Sequence, residues 1–94
     1  MEARYVFLVY KLILAPGVSE QIKKLSPFLR QRIDEVFLEL TANPYTCYDA
    51  MRMRGGSFTK YRCKTGDYRI IYTVNEDRVQ VYVLKVGNRK DVYS

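Results

Sequence analysis

The alternation of apolar and polar positions changes period along the chain, and those changes divide it into elements. Residues 5–14 are rich in Val, Tyr, Phe, Leu and Ile without helical spacing, which predicts a strand. Residues 1–8 read as an N-terminal extension of the domain proper. Pro16-Gly17 ends the run. Ser19 is suited to cap a short helix reaching Leu25, with Ile22 and Leu25 on one face. Ser26-Pro27 is a stronger start, because proline's missing N–H costs nothing at the first helical position. Leu29, Ile33, Val36, Phe37 and Leu40 then recur on one stripe of an amphipathic helix. Arg30, Arg32, Asp34, Glu35 and Glu39 occupy its wet side, and Asn43-Pro44 stops it. With almost no loop between them, the two helices form a hairpin.

Beyond residue 50 the period falls to two. Residues 51–54 read as a short strand closed by Gly55-Gly56. Residues 58–64 alternate, with Phe58, Lys60, Arg62 and Lys64 on one side and Thr59, Tyr61 and Cys63 on the other. Thr65-Gly66 reads as a turn. Residues 67–74 and 79–86 are strong strand patterns joined by Asn75-Glu76-Asp77. The last residues, 87–94, are polar, with Val92 and Tyr93 able to dock back. Short turns make the late strands antiparallel, and the helices must cover one face of their sheet. The expected fold class is α+β in a single domain over 1–94: an N-terminal strand, a helical hairpin, then an antiparallel sheet with helices on one face.

Charge changes this picture. Residues 1–51 carry six Lys/Arg and six Asp/Glu, whereas 52–94 carry ten and four, so the net +6 lies wholly in the second half. There it is interleaved with Tyr61, Tyr68, Tyr72, Tyr82 and Tyr93. A basic surface with aromatics points to a phosphate-bearing partner, RNA above all. Tyr68 and Tyr72 share a face with Ile70 and Val74 and are expected in the core. Histidine is absent, which removes the usual base and the usual zinc ligand. No metal and no cofactor are expected. Cys47 and Cys63 leave one bridge open, but Cys63 falls in a strand-like run where a small buried thiol is the expectation. Lys11 interrupts the first apolar run, which is too short to span a bilayer, so no membrane partner and a cytoplasmic location are expected.

Alternation gathers Lys60, Arg62 and Lys64 on one sheet face, with Arg69 on the next strand and Lys85 and Arg89 at the end of the last. Arg52 and Arg54 flank them on the short strand. Like charges on neighbouring strands destabilise a sheet, so such a patch makes sense if an anion sits in it. RNA brings its own nucleophile, the 2′-OH. Cleavage then needs a base, a cationic clamp for the pentavalent phosphate and an acid for the departing 5′-oxygen. Arg62, Arg69 and Arg89 suit the clamp, and Lys64 is the best base candidate in a chain without histidine.

Two linked stretches resemble the RelE/ParE toxin superfamily of toxin–antitoxin systems, over roughly residues 9–94. Tyr61-Arg62-Cys63-Lys64-Thr65-Gly66-Asp67-Tyr68-Arg69-Ile70-Ile71-Tyr72 is similar to its Tyr-Arg-x-Arg/Lys run followed by Gly-Asp-Tyr-Arg. Val86-Gly87-Asn88-Arg89-Lys90-Asp91-Val92-Tyr93 is similar to its Val-Gly-His-Arg close, with Asn88 where many relatives have histidine. Met51-Arg52-Met53-Arg54-Gly55-Gly56 resembles its basic strand ending in glycine.

The resemblance implies a RelE-like microbial RNase fold. It also implies a ribosome-dependent, metal-independent endoribonuclease that cleaves mRNA by 2′-OH attack. It implies catalytic roles for Lys64 (base), Arg69, Arg89 and Tyr93, with Lys60, Arg62, Lys85, Arg52 and Arg54 binding substrate. The implied partners are the ribosome, mRNA and an antitoxin whose acidic, amphipathic C-terminal segment masks the basic face. Operator DNA would be reached only through the antitoxin complex. Two alternatives stay open: a ParE-like DNA gyrase inhibitor, and a catalytically inactive interaction module of the same fold.

Overall fold

The computed structural model describes residues 9–47 and 59–92, and the backbone of 51–53. The elements run β1 (Lys11–Leu14), α1 (Val18–Lys23), α2 (Pro27–Ala42), β2 (Met51–Met53), β3 (Lys60–Thr65), β4 (Tyr68–Asn75), β5 (Gln80–Asn88) and α3 (Arg89–Val92). The α+β class and the helical hairpin match the expectation. All five strands form one sheet in the order β1-β5-β4-β3-β2. The late strands are antiparallel, as their short turns require. β1, however, pairs parallel with β5, Leu12 opposite Val81 and Leu14 opposite Val83, so the sheet is mixed.

α2 begins as its sequence dictates. Ser26 is extended, its Oγ accepts the Leu29 N–H at 3.3 Å, and Pro27 follows. The helix ends at Asn43, whose N–H still reaches Glu39 O at 2.9 Å. α1 begins differently from the expectation. Gly17, not Ser19, is its N-cap, at φ 89°, a conformation glycine adopts without the Cβ penalty.

One face of the sheet takes the helices. Ile33, Val36, Phe37 and Leu40 of α2 join Val18 against Cys63, Ile70, Tyr72, Val81, Val83 and Val86. Each fully buried large side chain here contributes about 1.5–3 kcal/mol of transfer free energy. Tyr72 is wholly buried, and its hydroxyl donates to Pro44 O at 2.6 Å. Its ring stacks on Tyr61 at 5.6 Å, and Tyr61 meets Tyr45 edge-on at 5.7 Å. Tyr68 and Val74 pack at the core margin, so the core reading of these tyrosines holds.

The segment after α2 is pinned by that Tyr72 bond, and it carries Cys47 to β3. Cys47 and Cys63 form a disulfide with Cα atoms 6.3 Å apart. The expected free, buried thiol at Cys63 is thus corrected. Spacing of 16 residues carries no pairing signal, whereas the fold brings the two Cβ atoms together. A second tyrosine cluster sits at the far end of β4. Tyr10 Oη donates to Glu76 at 2.8 Å, and Tyr45 Oη donates to the same carboxylate. Burial, then the Glu76 hydrogen bond, pushes the Tyr45 hydroxyl well above its ordinary range.

The end of the described chain is not a simple polar tail. Arg89–Val92 makes one helical turn, with Val92 buried. No helix among the described residues is long and apolar enough to cross a membrane.

Candidate functional site

Alternation along β3 sends Tyr61 and Cys63 to the helix-covered face, so Lys60, Arg62 and Lys64 take the other. Register extends the pattern. Opposed residues of antiparallel strands share a face. Lys64 pairs with Arg69, and Arg69 pairs with Gly87. Arg62 pairs with Ile71, and Ile71 pairs with Lys85. The face opposite α1 and α2 therefore carries two parallel rows across three strands, Arg62–Ile71–Lys85 and Lys64–Arg69–Gly87, with Ile71 buried within it. A bulge between Ile71 and Tyr72 keeps this register in place: Tyr72 pairs with Val83, so Leu84 is the extra residue. Without it, Lys85 would change faces relative to Val83.

Gly87 lies opposite Arg69 on this face. A Cβ there would sit 3.9 Å from Val92 Cβ, ordinary contact distance, so α3 packs over Gly87. Lys85 Nζ donates to Val92 O at 3.5 Å, a cation at the carbonyl end of α3. At the other end Asn88 Oδ1 accepts the Lys90 N–H at 3.0 Å. Arg89, exposed, is thereby held at the first position of α3, beside the row that contains Arg69.

Arg69 is fixed by backbone. Its Nη1 donates to Gly66 O at 2.9 Å and to Tyr68 O at 3.0 Å. The Arg89 N–H donates to Asp67 O at 2.8 Å, continuing the β4–β5 ladder one step past the Tyr68–Asn88 pair. Three consecutive carbonyls of the β3–β4 turn thus reach two of the expected site residues.

Six expected site residues, Lys60, Arg62, Lys64, Arg69, Lys85 and Arg89, therefore gather on or beside the sheet face opposite α1 and α2. Arg52 is out of step with them. It pairs with Tyr61, whereas Met51 and Met53 pair with Arg62 and Lys60. Arg54 and Tyr93 lie outside the described residues. Sequence reading missed the turn carbonyls, the packing of α3 over Gly87 and the Asn88 cap. The Gly-Asp pair signals a turn, but which side chains its carbonyls will meet has no signature in residue type.

Chemically, the face offers several guanidinium and ammonium groups, of which Arg69 is held by backbone carbonyls. Such an array binds phosphate oxygens and stabilises charge that builds on a phosphorane.

Both the sequence and the fold match known proteins. The family model described as ParE toxin of type II toxin-antitoxin system, parDE, matches residues 12–93. The mRNA interferase toxin RelE of Escherichia coli (strain K12) is 27% identical over 90 residues, covering 93% of each chain. Among solved structures, the archaeal RelE–RelB complex from Pyrococcus horikoshii OT3 matches with a TM-score of 0.77 at 25% identity. That match covers 89% of this chain and 99% of the other. The isolated E. coli RelE toxin matches with a TM-score of 0.71 at 26% identity, over 89% and 90%.

Proposed function

Because the chain belongs to the ParE toxin family of type II toxin–antitoxin systems, within the RelE/ParE superfamily, we propose that it is a toxin of the mRNA-cleaving kind, cutting message on the ribosome. The observation that carries this reading is the double row of cations on the sheet face opposite α1 and α2, with Arg69 held by the turn and Arg89 beside it. A gyrase-directed binder has no need of a phosphate clamp built around one strained phosphodiester.

In the proposed reaction the 2′-oxygen attacks the adjacent phosphorus as Lys64 Nζ, in its neutral form, takes the hydroxyl proton. Arg62, Arg69 and Arg89 hold the phosphorane oxygens. The P–O5′ bond breaks, an arginine-bound proton goes to the departing oxygen, and the products are a 2′,3′-cyclic phosphate and a 5′-hydroxyl. Tyr93 would orient the nucleotide, and Lys60, Lys85 and Arg54 would bind the flanking backbone; Arg52, in register with Tyr61, falls on the other face. The step requires no metal. The proposed partner is an antitoxin, in keeping with the RelE–RelB complex that the fold matches. An acidic, amphipathic segment of it would neutralise the same cations that hold RNA.

A second reading has one observation in its favour: the matching family model bears the name of ParE. One experiment separates the two. The wild-type chain and Arg69→Ala are induced in cells, and message ends and DNA damage are followed together. Cuts within translated message, reduced about a hundredfold or more by Arg69→Ala, are the expected result. Intact message with a DNA damage response would instead assign the gyrase activity. With purified ribosomes, cleavage is expected to continue in a chelator that leaves the ribosomes intact. Lys64→Ala should slow the cleavage step more than it weakens ribosome binding, and an equal loss of both would make Lys64 a phosphate contact only.

A further inference from the structure

Arg69 lies in β4 and Arg89 opens α3, far apart in the chain. One short turn touches both. Gly66 and Asp67 join β3 to β4. Gly66 has φ 60°, and Asp67 is not among the described non-glycine residues with positive φ. A two-residue hairpin loop with only its first residue left-handed is the type that places glycine there. That backbone aims successive carbonyls at the basic face: Gly66 O and Tyr68 O at the Arg69 guanidinium, Asp67 O at the Arg89 N–H.

A guanidinium on a flexible stem would otherwise sample many rotamers, and ordering it would count against catalysis at each turnover. Here two acceptors on one Nη hold it before substrate arrives. The remaining N–H groups stay available for a phosphate, since the fork has five donors. The turn's third carbonyl holds the start of α3, so it sets the position of Arg89 relative to Arg69 as well.

We infer that Gly66 is a positioning residue: its left-handed backbone shapes the β3–β4 turn so that the turn's carbonyls hold Arg69 and Arg89 at the mutual spacing the site needs. This deepens the nuclease reading and rests on it. A Cβ on Gly66 would meet nothing within 4 Å, so substitutions there remove no packing and act through φ alone. Asn tolerates φ above zero, Ala does so poorly and Val worst.

The test is a series on the full chain: Gly66→Asn, Gly66→Ala and Gly66→Val, assayed with programmed ribosomes under single-turnover conditions. The expected order of cleavage rate is Gly, then Asn, then Ala, then Val. Gly66→Asn should stay within about threefold of wild type, and Gly66→Val should fall by about tenfold or more. Ribosome affinity should move by less than about threefold throughout, since the charges are all retained. Thermal melts identify any variant that is unfolded at the assay temperature, and for that variant the comparison moves to a lower temperature. Cleavage by Gly66→Val at the wild-type rate would overturn the inference, as would a uniform loss in all three variants.

A second readout needs no activity. In wild type the Arg89 amide should exchange slowly and the Arg69 guanidinium NMR signals should be restrained. Both should loosen in Gly66→Val and recover in Gly66→Asn. If wild type cuts no message, the nuclease reading falls, and these signals alone decide whether the turn holds the two arginines. Unchanged signals in Gly66→Val would sink that too.

Discussion

At the residue scale Tyr72 shows how one hydroxyl ties the fold together. Its ring fills the core, and its O–H secures the segment that leaves α2 through Pro44 O. Burial, and then the neighbouring Tyr61, pushes its hydroxyl up to about 12. The folded state therefore favours the protonated phenol more than the unfolded chain does. That stability is fully present below the ordinary tyrosine value of about 10 and is lost as pH climbs from there to about 12. Tyr45 shifts in the same direction. Urea midpoints should be insensitive to this group near neutrality and fall through that alkaline window. Tyr72→Phe should cost about 1–3 kcal/mol near pH 7, because a buried carbonyl loses its donor. It should also make the alkaline fall shallower. An unchanged alkaline slope in Tyr72→Phe would show that the shift lies elsewhere.

At the element scale the sequence was most legible where several signals agreed. Ser26, Pro27 and the stripe from Leu29 to Leu40 all point to one helix, and α2 begins where they say. β3 was legible for the same reason: alternation separates Cys63 from Arg62 and Lys64, and register then lines the cations up. Pairing across long separations was less legible. Nothing in residues 11–14 encodes that they will lie parallel to β5, because apolar patterning specifies a buried strand and not its neighbour. α3 escaped notice because four residues, three of them polar, carry no period. The Cys47–Cys63 bridge escaped because it depends on where the chain goes after α2. Closing a loop of that separation is worth about 3 kcal/mol, chiefly by restricting the unfolded chain. A thiol reductant should therefore lower the melting temperature of the wild type by more than about 10 °C. Cys47→Ala should melt near the reduced wild type and ignore the reductant. Equal melting with and without reductant in the wild type would remove the bridge from the stability of the fold.

At the scale of the whole molecule the sheet divides the labour between its faces. One is closed by the helices and holds the fold; the other carries much of the charge that gives the chain its net +6. On the proposed reading this surface binds single-stranded RNA largely by displacing counterions, and affinity should then fall linearly on logarithmic axes as salt rises. Lys85→Ala, which removes one ammonium from this face, should make that slope shallower by about 0.7 in titrations of a labelled RNA oligonucleotide. An unaltered slope would mean Lys85 touches no phosphate. The parallel pairing of β1 with β5 has a consequence in time. Among the described residues, β1, the earliest strand, pairs with β5 alone, the latest of the described strands. While the nascent polypeptide is still growing, β1 has nothing to zip against and the basic face is not assembled. The face that carries the cations is therefore complete only once β5 has been made.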